Sequence, residues 1–157
     1  MNAETLPLEA AASPKIVPAS WRDVPAFHRL EKVCFPLDAW PIWDIVAVLI
    51  LPKVIRLKAT CAGQAIGFII GDLRPAEGVA WIANFAVHPA YRGQGIGSAL
   101  LEKCEQAAGL PRMKLSVRVS NDDAIRLYRR RGYRAVGSWT RYYRGDEDAM
   151  IMEKVLG

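Results

Sequence analysis

The stretch Asn84-Phe85-Ala86-Val87-His88-Pro89-Ala90-Tyr91-Arg92-Gly93-Gln94-Gly95-Ile96-Gly97-Ser98-Ala99-Leu100-Leu101 decides the fold. Its first residues close a strand that begins at Ala80, and Ile96, Leu100 and Cys104 recur at the four-residue spacing of a helix face. Between strand and helix stand Gly93, Gly95 and Gly97. Glycines let a backbone come close to a ligand, and the first amides of a helix point outward, unpartnered, at the positive end of its dipole. The amides of Gln94 to Ser98 are therefore a candidate cradle for a pyrophosphate. The same residues also suit a plain tight turn, and the glycines alone do not separate the two readings. A Walker loop is excluded, because no Gly-Lys-Ser/Thr is present. The dinucleotide fingerprint fails as well, since Ser98 stands where its third glycine belongs.

Working outward, Lys15-Ile16-Val17-Pro18 reads as a first strand, and residues 1–13 as a loose tail without periodicity. Ser20 to Asp23 has the form of a capping box, followed by Phe27, Leu30, Val33 and Cys34 at helical spacing. Phe35-Pro36 stops that helix. A second helix, from Pro41 to Leu51, is apolar almost all round, which implies burial or an interface. Trp40 and Trp43 read as core residues, with the wall of an acceptor pocket as the second reading. Lys53–Cys61 and Gln64–Leu73, joined by Ala62-Gly63, read as a hairpin, and Ala80–Val87 as the next strand. Gly109 and Pro111 end the helix that starts at Ile96. Met113–Val119 alternates as a strand, a helix opens at Asn121-Asp122-Asp123, and Gly132 closes it behind Arg129-Arg130-Arg131. Tyr133–Arg144 and Ala149–Val155 read as two final strands. The order is βααβββαβαββ, an α/β chain with a mixed sheet and one domain over residues 14–157.

The composition agrees. The chain has 157 residues, 52% of them hydrophobic and 24% charged, enough to bury a core and too little biased for a disordered chain. Its net charge of +5 lies entirely in residues 90–157, where 13 basic side chains face 8 acidic ones; residues 1–89 carry 8 of each. That asymmetry suits a polyanionic partner such as a phosphorylated cofactor, a nucleic acid or a membrane surface. The basic half lacks the aromatic-interleaved stretch of a dedicated RNA-binding domain, so no direct nucleic-acid contact is expected. Cys34, Cys61 and Cys104 are odd in number and far apart, and His28 and His88 are the only histidines, so neither a disulfide framework nor a metal site is expected. No apolar run is long enough for a membrane span, and Met1-Asn2-Ala3-Glu4 is acidic where a signal peptide is basic. A cytoplasmic protein is the expectation.

Arg92-x-x-Gly95-x-Gly97 after Asn84 to Val87, combined with Asn121-x-x-Ala124-x-x-Leu127-Tyr128-x-x-x-Gly132-Tyr133, closely resembles the GNAT superfamily of acetyl-coenzyme A-dependent N-acetyltransferases. Leu115 to Asn121 and Tyr142-Tyr143 followed by Glu147 to Met152 make the chain similar to the RimI type, which acetylates the N-terminal amine of a ribosomal protein. The resemblance implies a mostly antiparallel mixed sheet, flanked by helices and splayed between residues 80–87 and 113–119. It implies that the pantetheine arm lies in the splay against Phe85, Ala86 and Val87. The pyrophosphate would sit on Arg92, Gly93, Gln94, Gly95, Ile96, Gly97 and Ser98, with Asn121 facing the pantetheine. Tyr128 would stand near the thioester sulfur and protonate the departing thiolate. The acceptor it implies is a primary amine, a protein or peptide N-terminus first and a small amine or lysine second.

Each of these residues also has a plainer reading. Tyr128 follows Ile125 and Ala124 at helical spacing and suits a core aromatic; Asn121 suits a helix cap. Arg129 to Arg131 suit either a phosphate or a solvated helix end, and His88 either a base or a solvated loop residue. Tyr142 and Tyr143 suit strand residues facing opposite ways, and at least one of them is expected to line the acceptor site. The chain departs from the RimI type at Ser116, where those enzymes carry a glutamate that acts as general base. The base is thereby unassigned, with Asp146, Glu147 or a water chain as candidates, and a catalytically idle coenzyme A-binding module is the rival from a different class.

Overall fold

The computed structural model describes residues 13–157; the tail expected over residues 1–13 lies almost wholly outside them. Seven strands and four helices follow one another as β1 (Lys15–Pro18), α1 (Val24–Cys34), α2 (Ile42–Ile50), β2 (Val54–Cys61), β3 (Gln64–Arg74), β4 (Val79–Val87), α3 (Ile96–Ala108), β5 (Arg112–Arg118), α4 (Asp122–Arg130), β6 (Arg134–Tyr143) and β7 (Glu147–Val155). This is the order the sequence predicts. The Ser20–Asp23 capping box is present, but it caps a 3₁₀ turn at Trp21–Asp23 that leads into α1. Among the described residues no helix is long and apolar enough to cross a membrane.

The strands form one sheet in the order β1-β2-β3-β4-β5-β7-β6. Every neighbouring pair is antiparallel except β4 and β5, the two strands that α3 connects. That parallel pairing is short. It runs from Val79 opposite Arg112 to Ile82 opposite Leu115 and stops. Beyond it β4 continues beside β3 to Val87, and β5 continues beside β7 to Arg118. The cause sits in β4. Ile70 of β3 faces Asn84 while Gly71 faces Ile82, so Ala83 is an extra residue without a partner. An inserted residue bends its strand and inverts the side-chain alternation beyond it. Ala80 and Ile82 face one layer before the bulge, and Phe85 and Val87 face that same layer after it. The sheet is therefore splayed in its middle.

Two apolar layers sandwich the sheet. On one face α3 and α4 pack through Ile96, Leu100, Leu101, Cys104, Ile125 and Tyr128 onto Ile69, Met113, Leu115 and Met152. On the other, α1 and α2 bury Phe27, Leu30, Ile45 and Leu49 against Phe68, Ile70 and Ala86, with Phe27 and Phe68 stacked at 4.4 Å. Only one face of α2 is buried. Ile42, Trp43 and Ile50 lie on its exposed side, and Trp43, expected in the core, is 77% exposed. Trp40 packs partly buried against the second layer.

Among the described residues one charged residue is fully buried. Glu31 occupies the apolar stripe of α1, four residues after Phe27, and is fully buried. Its carboxylate accepts from the backbone N–H of Trp40 at 2.9 Å and from the side-chain amide of Asn84. It thus pins the α1–α2 connection to β4 just past the bulge. Burial raises its pKa, outweighing the two hydrogen bonds that pull it down. The folded state therefore favours the protonated form, and this group's contribution to stability falls as pH rises from the ordinary glutamate value toward the raised one. Glu31→Gln turns an amide donor toward one of two buried donors and should cost about 1–3 kcal/mol by urea denaturation. The gap between parent and variant should be widest in acid and narrow across that pH window; a gap independent of pH would contradict the burial of an ionisable Glu31.

Candidate functional site

The splay exposes one edge of β4. The N–H of His88 donates to Ile66 of β3. By strand alternation Ala86 also directs its backbone toward β3, and its side chain lies in the α1–α2 layer. Phe85 and Val87 direct theirs into the opening. The Val87 carbonyl accepts there from Arg92 Nε at 3.0 Å and from the Cys34 thiol at 3.5 Å. His88 is engaged in the turn that follows, where its Nδ1 accepts from the N–H of Ala90 at 3.0 Å.

The glycine-rich turn stands at the end of this edge. Gly93 and Gly95 have φ of +77° and +80°, and no atom lies within 4 Å of where a Cβ would stand on either. These glycines thus answer to backbone conformation, and the space around them is open. The first helical bond of α3 runs from Ala99 N–H to the Gly95 carbonyl at 3.0 Å, and no side chain caps the helix. The amides of Ile96, Gly97 and Ser98 are left without intrahelical partners. Gly97 answers to packing. A Cβ there would come within 3.3 Å of Leu127 Cδ2 and 3.5 Å of Phe85 Cζ. The turn, α4 and the free end of β4 thus meet at one point.

α4 carries the next two residues. Asn121 Oδ1 accepts from the N–H of Ala124 at 3.2 Å, so the side chain caps the helix through its oxygen. Tyr128 is buried, with its ring 6.2 Å from Phe85 and 5.8 Å from Tyr133. Burial pushes the phenol far above its ordinary pKa, and neighbouring Tyr143 adds to the effect. Tyr128 is held protonated at any working pH and is a hydrogen-bond donor. Of the arginine run, Arg131 turns back toward Glu105 at 3.7 Å, while Arg129 and Arg130 are solvated.

The opposite wall of the splay is β5. Met113, Leu115 and Val117 are buried in the α3–α4 layer, which sends Ser116 and Arg118 to the other face. Ser116 Oγ lies 3.1 Å from the hydroxyl of Tyr143. A bulge in β6 brings that tyrosine inward. Trp139 faces Ala149 and Tyr143 faces Glu147, so residues 140–142 oppose Asp148 alone. Arg141 takes φ +52°, and its N–H donates to Asp148 Oδ1 at 2.9 Å. Arg118 donates to Asp38 through Nε at 2.7 Å and Nη2 at 2.8 Å, to Glu147 through Nη1 at 2.7 Å, and to the Arg144 carbonyl at 3.1 Å. Hydrogen bonds from Ser120 first, then from Arg118, hold Glu147 below the usual carboxylate range. Asp38 and Glu147 are both engaged by Arg118, and Asp148 accepts from Arg141, so Glu147 is a poor proton acceptor. Asp38 and Glu31 are absent from the sequence reading, and Arg118 enters it only within the stretch Leu115 to Asn121, without a role. For Glu31 the signal was there, as a charge inside an apolar helical stripe; for the other two the partners lie 80 residues apart.

Comparison with known proteins agrees with this geometry. The family model described as the acetyltransferase (GNAT) family matches residues 26–133. An uncharacterized N-acetyltransferase of Methanocaldococcus jannaschii is 40% identical over 139 residues, 86% of this chain and 87% of that protein. The N-alpha-acetyltransferase RimI of Mycobacterium tuberculosis is 34% identical over 125 residues, 76% of this chain and 78% of its own. Among solved structures, the ribosomal-protein-S18-alanine N-acetyltransferase from Escherichia coli superposes with a TM-score of 0.84 at 28% identity, covering 92% of this chain and 95% of that one.

The two readings of Asn121 can be separated by substitution. Asn121→Ala removes the cap and should cost about 1 kcal/mol of stability in denaturant. Asn121→Asp keeps the accepting oxygen and should restore that stability, while lacking the amide donor. If Asn121→Asp binds coenzyme A as tightly as the parent, Asn121 is a cap alone.

Proposed function

The chain belongs to the acetyltransferase (GNAT) family and is an acetyl-coenzyme A-dependent N-acetyltransferase, and from that premise we propose that its acceptor is the α-amine of a protein or peptide N-terminus. The observation that carries the proposal is the wall around Ser116, where Ser116 meets the Tyr143 hydroxyl and the carboxylates of Asp38 and Glu147 are both held by Arg118.

The cofactor fits the residues present. Unpartnered amides at Ile96 to Ser98, beside positive-φ glycines with open space around them, suit a pyrophosphate; the free backbone edge at Phe85 and Val87 suits an extended amide-bearing arm. Bound acetyl-coenzyme A supplies the thioester carbonyl and the thiolate leaving group. Arg92, Gly93, Gln94, Gly95, Ile96, Gly97 and Ser98 hold the phosphates, and Asn121 offers its free amide to the arm. Arg92 has to release the Val87 carbonyl for that arm to pair there. Tyr128 donates its hydroxyl proton to the departing sulfur, and the amine's proton is free to replace it.

The acceptor wall on the other face decides which amine can react. The amine attacks only when neutral, and the wall offers Ser116 and Tyr143, neither of which is a base at neutral pH. An α-amine at about pKa 7.7–8.0 is roughly one-third neutral at pH 7.5, whereas a lysine at about 10.4 is neutral in only ~0.1% of molecules. N-terminal amines are favoured accordingly.

Two experiments test this. Coenzyme A should raise the melting temperature of the parent, and Tyr128→Phe should keep that shift while losing roughly tenfold or more in turnover, measured by thiol release on short peptides. Stabilisation by coenzyme A without thiol release from any peptide or small amine would make the chain an idle module. Separately, the parent's rate on an N-terminal peptide should climb with pH toward the acceptor's own pKa, and a lysine peptide should lag far behind. Ser116→Glu should move the rising limb to lower pH. A parent profile already flat from about pH 6.5, far below the pKa of a free α-amine, would reveal a base elsewhere.

A further inference from the structure

We infer that Arg118 is a positioning residue that locks the α1–α2 connection to the β6–β7 turn, and that acceptor binding depends on this lock while cofactor binding does not. The inference rests on the reading that the acceptor amine enters on the Ser116 face.

Two segments distant in sequence, the α1–α2 connection and the β6–β7 turn, converge on one guanidinium. Asp38 comes from the α1–α2 connection, Glu147 from the start of β7, and the Arg144 carbonyl from the turn before it. Arg118 stands at the end of β5, next to the splay, and meets Asp38 in a two-pronged contact. A guanidinium offers five donors in a rigid planar fork, so one side chain can serve both carboxylates and a carbonyl at once; an ammonium cannot reproduce that geometry. The ion pairs are shielded, with the three side chains only 17–26% exposed, which sets them apart from an isolated surface pair.

The fork also fixes the aromatic wall. Its carbon lies 4.8 Å from the centre of the Tyr143 ring, whose hydroxyl meets Ser116. Glu147 extends the network by accepting from the Ser120 N–H at 2.9 Å, at the entrance to α4. The α1–α2 connection is then held at two points, Trp40 through Glu31 and Asp38 through Arg118. The contacts of Arg118 itself reach Asp38, Glu147, the Arg144 carbonyl and the Tyr143 ring, and none of these is in the glycine turn or in β4. Loosening them should disturb the acceptor wall first.

The first test needs no substrate. Hydrogen–deuterium exchange of Arg118→Gln and Arg118→Lys is compared with the parent. Residues 36–40 and 144–148 should exchange faster together in both variants, with 93–98 unchanged; should Arg118→Gln fail to fold, Arg118→Lys and the parent in molar salt carry the same comparison. The second test is kinetic. On a peptide that the parent acetylates, Arg118→Lys should raise the acceptor KM about tenfold while leaving the acetyl-coenzyme A KM and the thermal shift by coenzyme A as in the parent. Parent-like exchange in both loops overturns the lock. An equal rise in both KM values, or a fall in kcat alone, overturns its acceptor-specific role. If the parent acetylates no peptide, the acceptor reading fails with the role built on it, and the exchange data still decide whether the lock exists.

Discussion

The opening in the middle of the sheet depends on one unpartnered residue in one strand. Ala83 has no partner on β3, and the parallel pairing of β4 with β5 ends at the residue before it. Had β4 continued in register, its last residues would have bonded to β5 and closed the sheet. The bulge instead leaves the backbone groups of Phe85 and Val87 facing a gap. It also returns their side chains to the α3–α4 layer, where Phe85 meets Gly97 and Tyr128. The unpaired edge of a sheet is ordinarily a liability. Here it is held inside the fold, between two strands that remain paired on their outer sides.

The gap can be approached from both faces of the sheet, and the faces differ in chemistry. On the α3–α4 side stand unpartnered helix amides, positive-φ glycines and a phenol kept protonated by burial. They suit an anionic, extended ligand with a leaving group that needs a proton. On the α1–α2 side stand Ser116, Tyr143 and the carboxylates of Asp38 and Glu147, both committed to Arg118. Those groups shape a wall. A transferase that brings two substrates together directly needs this division, because each must reach the same carbon from its own side.

Much of the frame was legible in the sequence because its signals are local. The glycine turn, the stop at Gly109 and Pro111, the Asn121 cap and the alternation of Met113 to Val119 are each decided within a few residues, and all seven strands and four helices follow from such signals. The resemblance carried by Arg92 to Gly97 and Asn121 to Tyr133 supplied the splay, which no local pattern encodes. Ala83 looks like any other small strand residue, and its role appears only when β3 and β4 are laid side by side. The Arg118 network joins positions 38, 118 and 147, and a single sequence offers no way to pair them. Trp43 was misplaced for a related reason. A helix apolar on every side gives no period from which to choose the buried face, and α2 buries Ile45 and Leu49 while Trp43 faces solvent.

The central claim is that the opening beside Phe85 and Val87 holds the cofactor arm, with its phosphates on the adjoining turn. Residue-resolved amide exchange with and without coenzyme A tests it most directly. Free amides that gain a hydrogen-bonded partner slow their exchange, whatever the rate of catalysis. The expected result is protection at Phe85 or Val87 together with the amides of 94–98, and no change at 36–40 or 144–148. Coenzyme A that binds while leaving Phe85 and Val87 unprotected would contradict it.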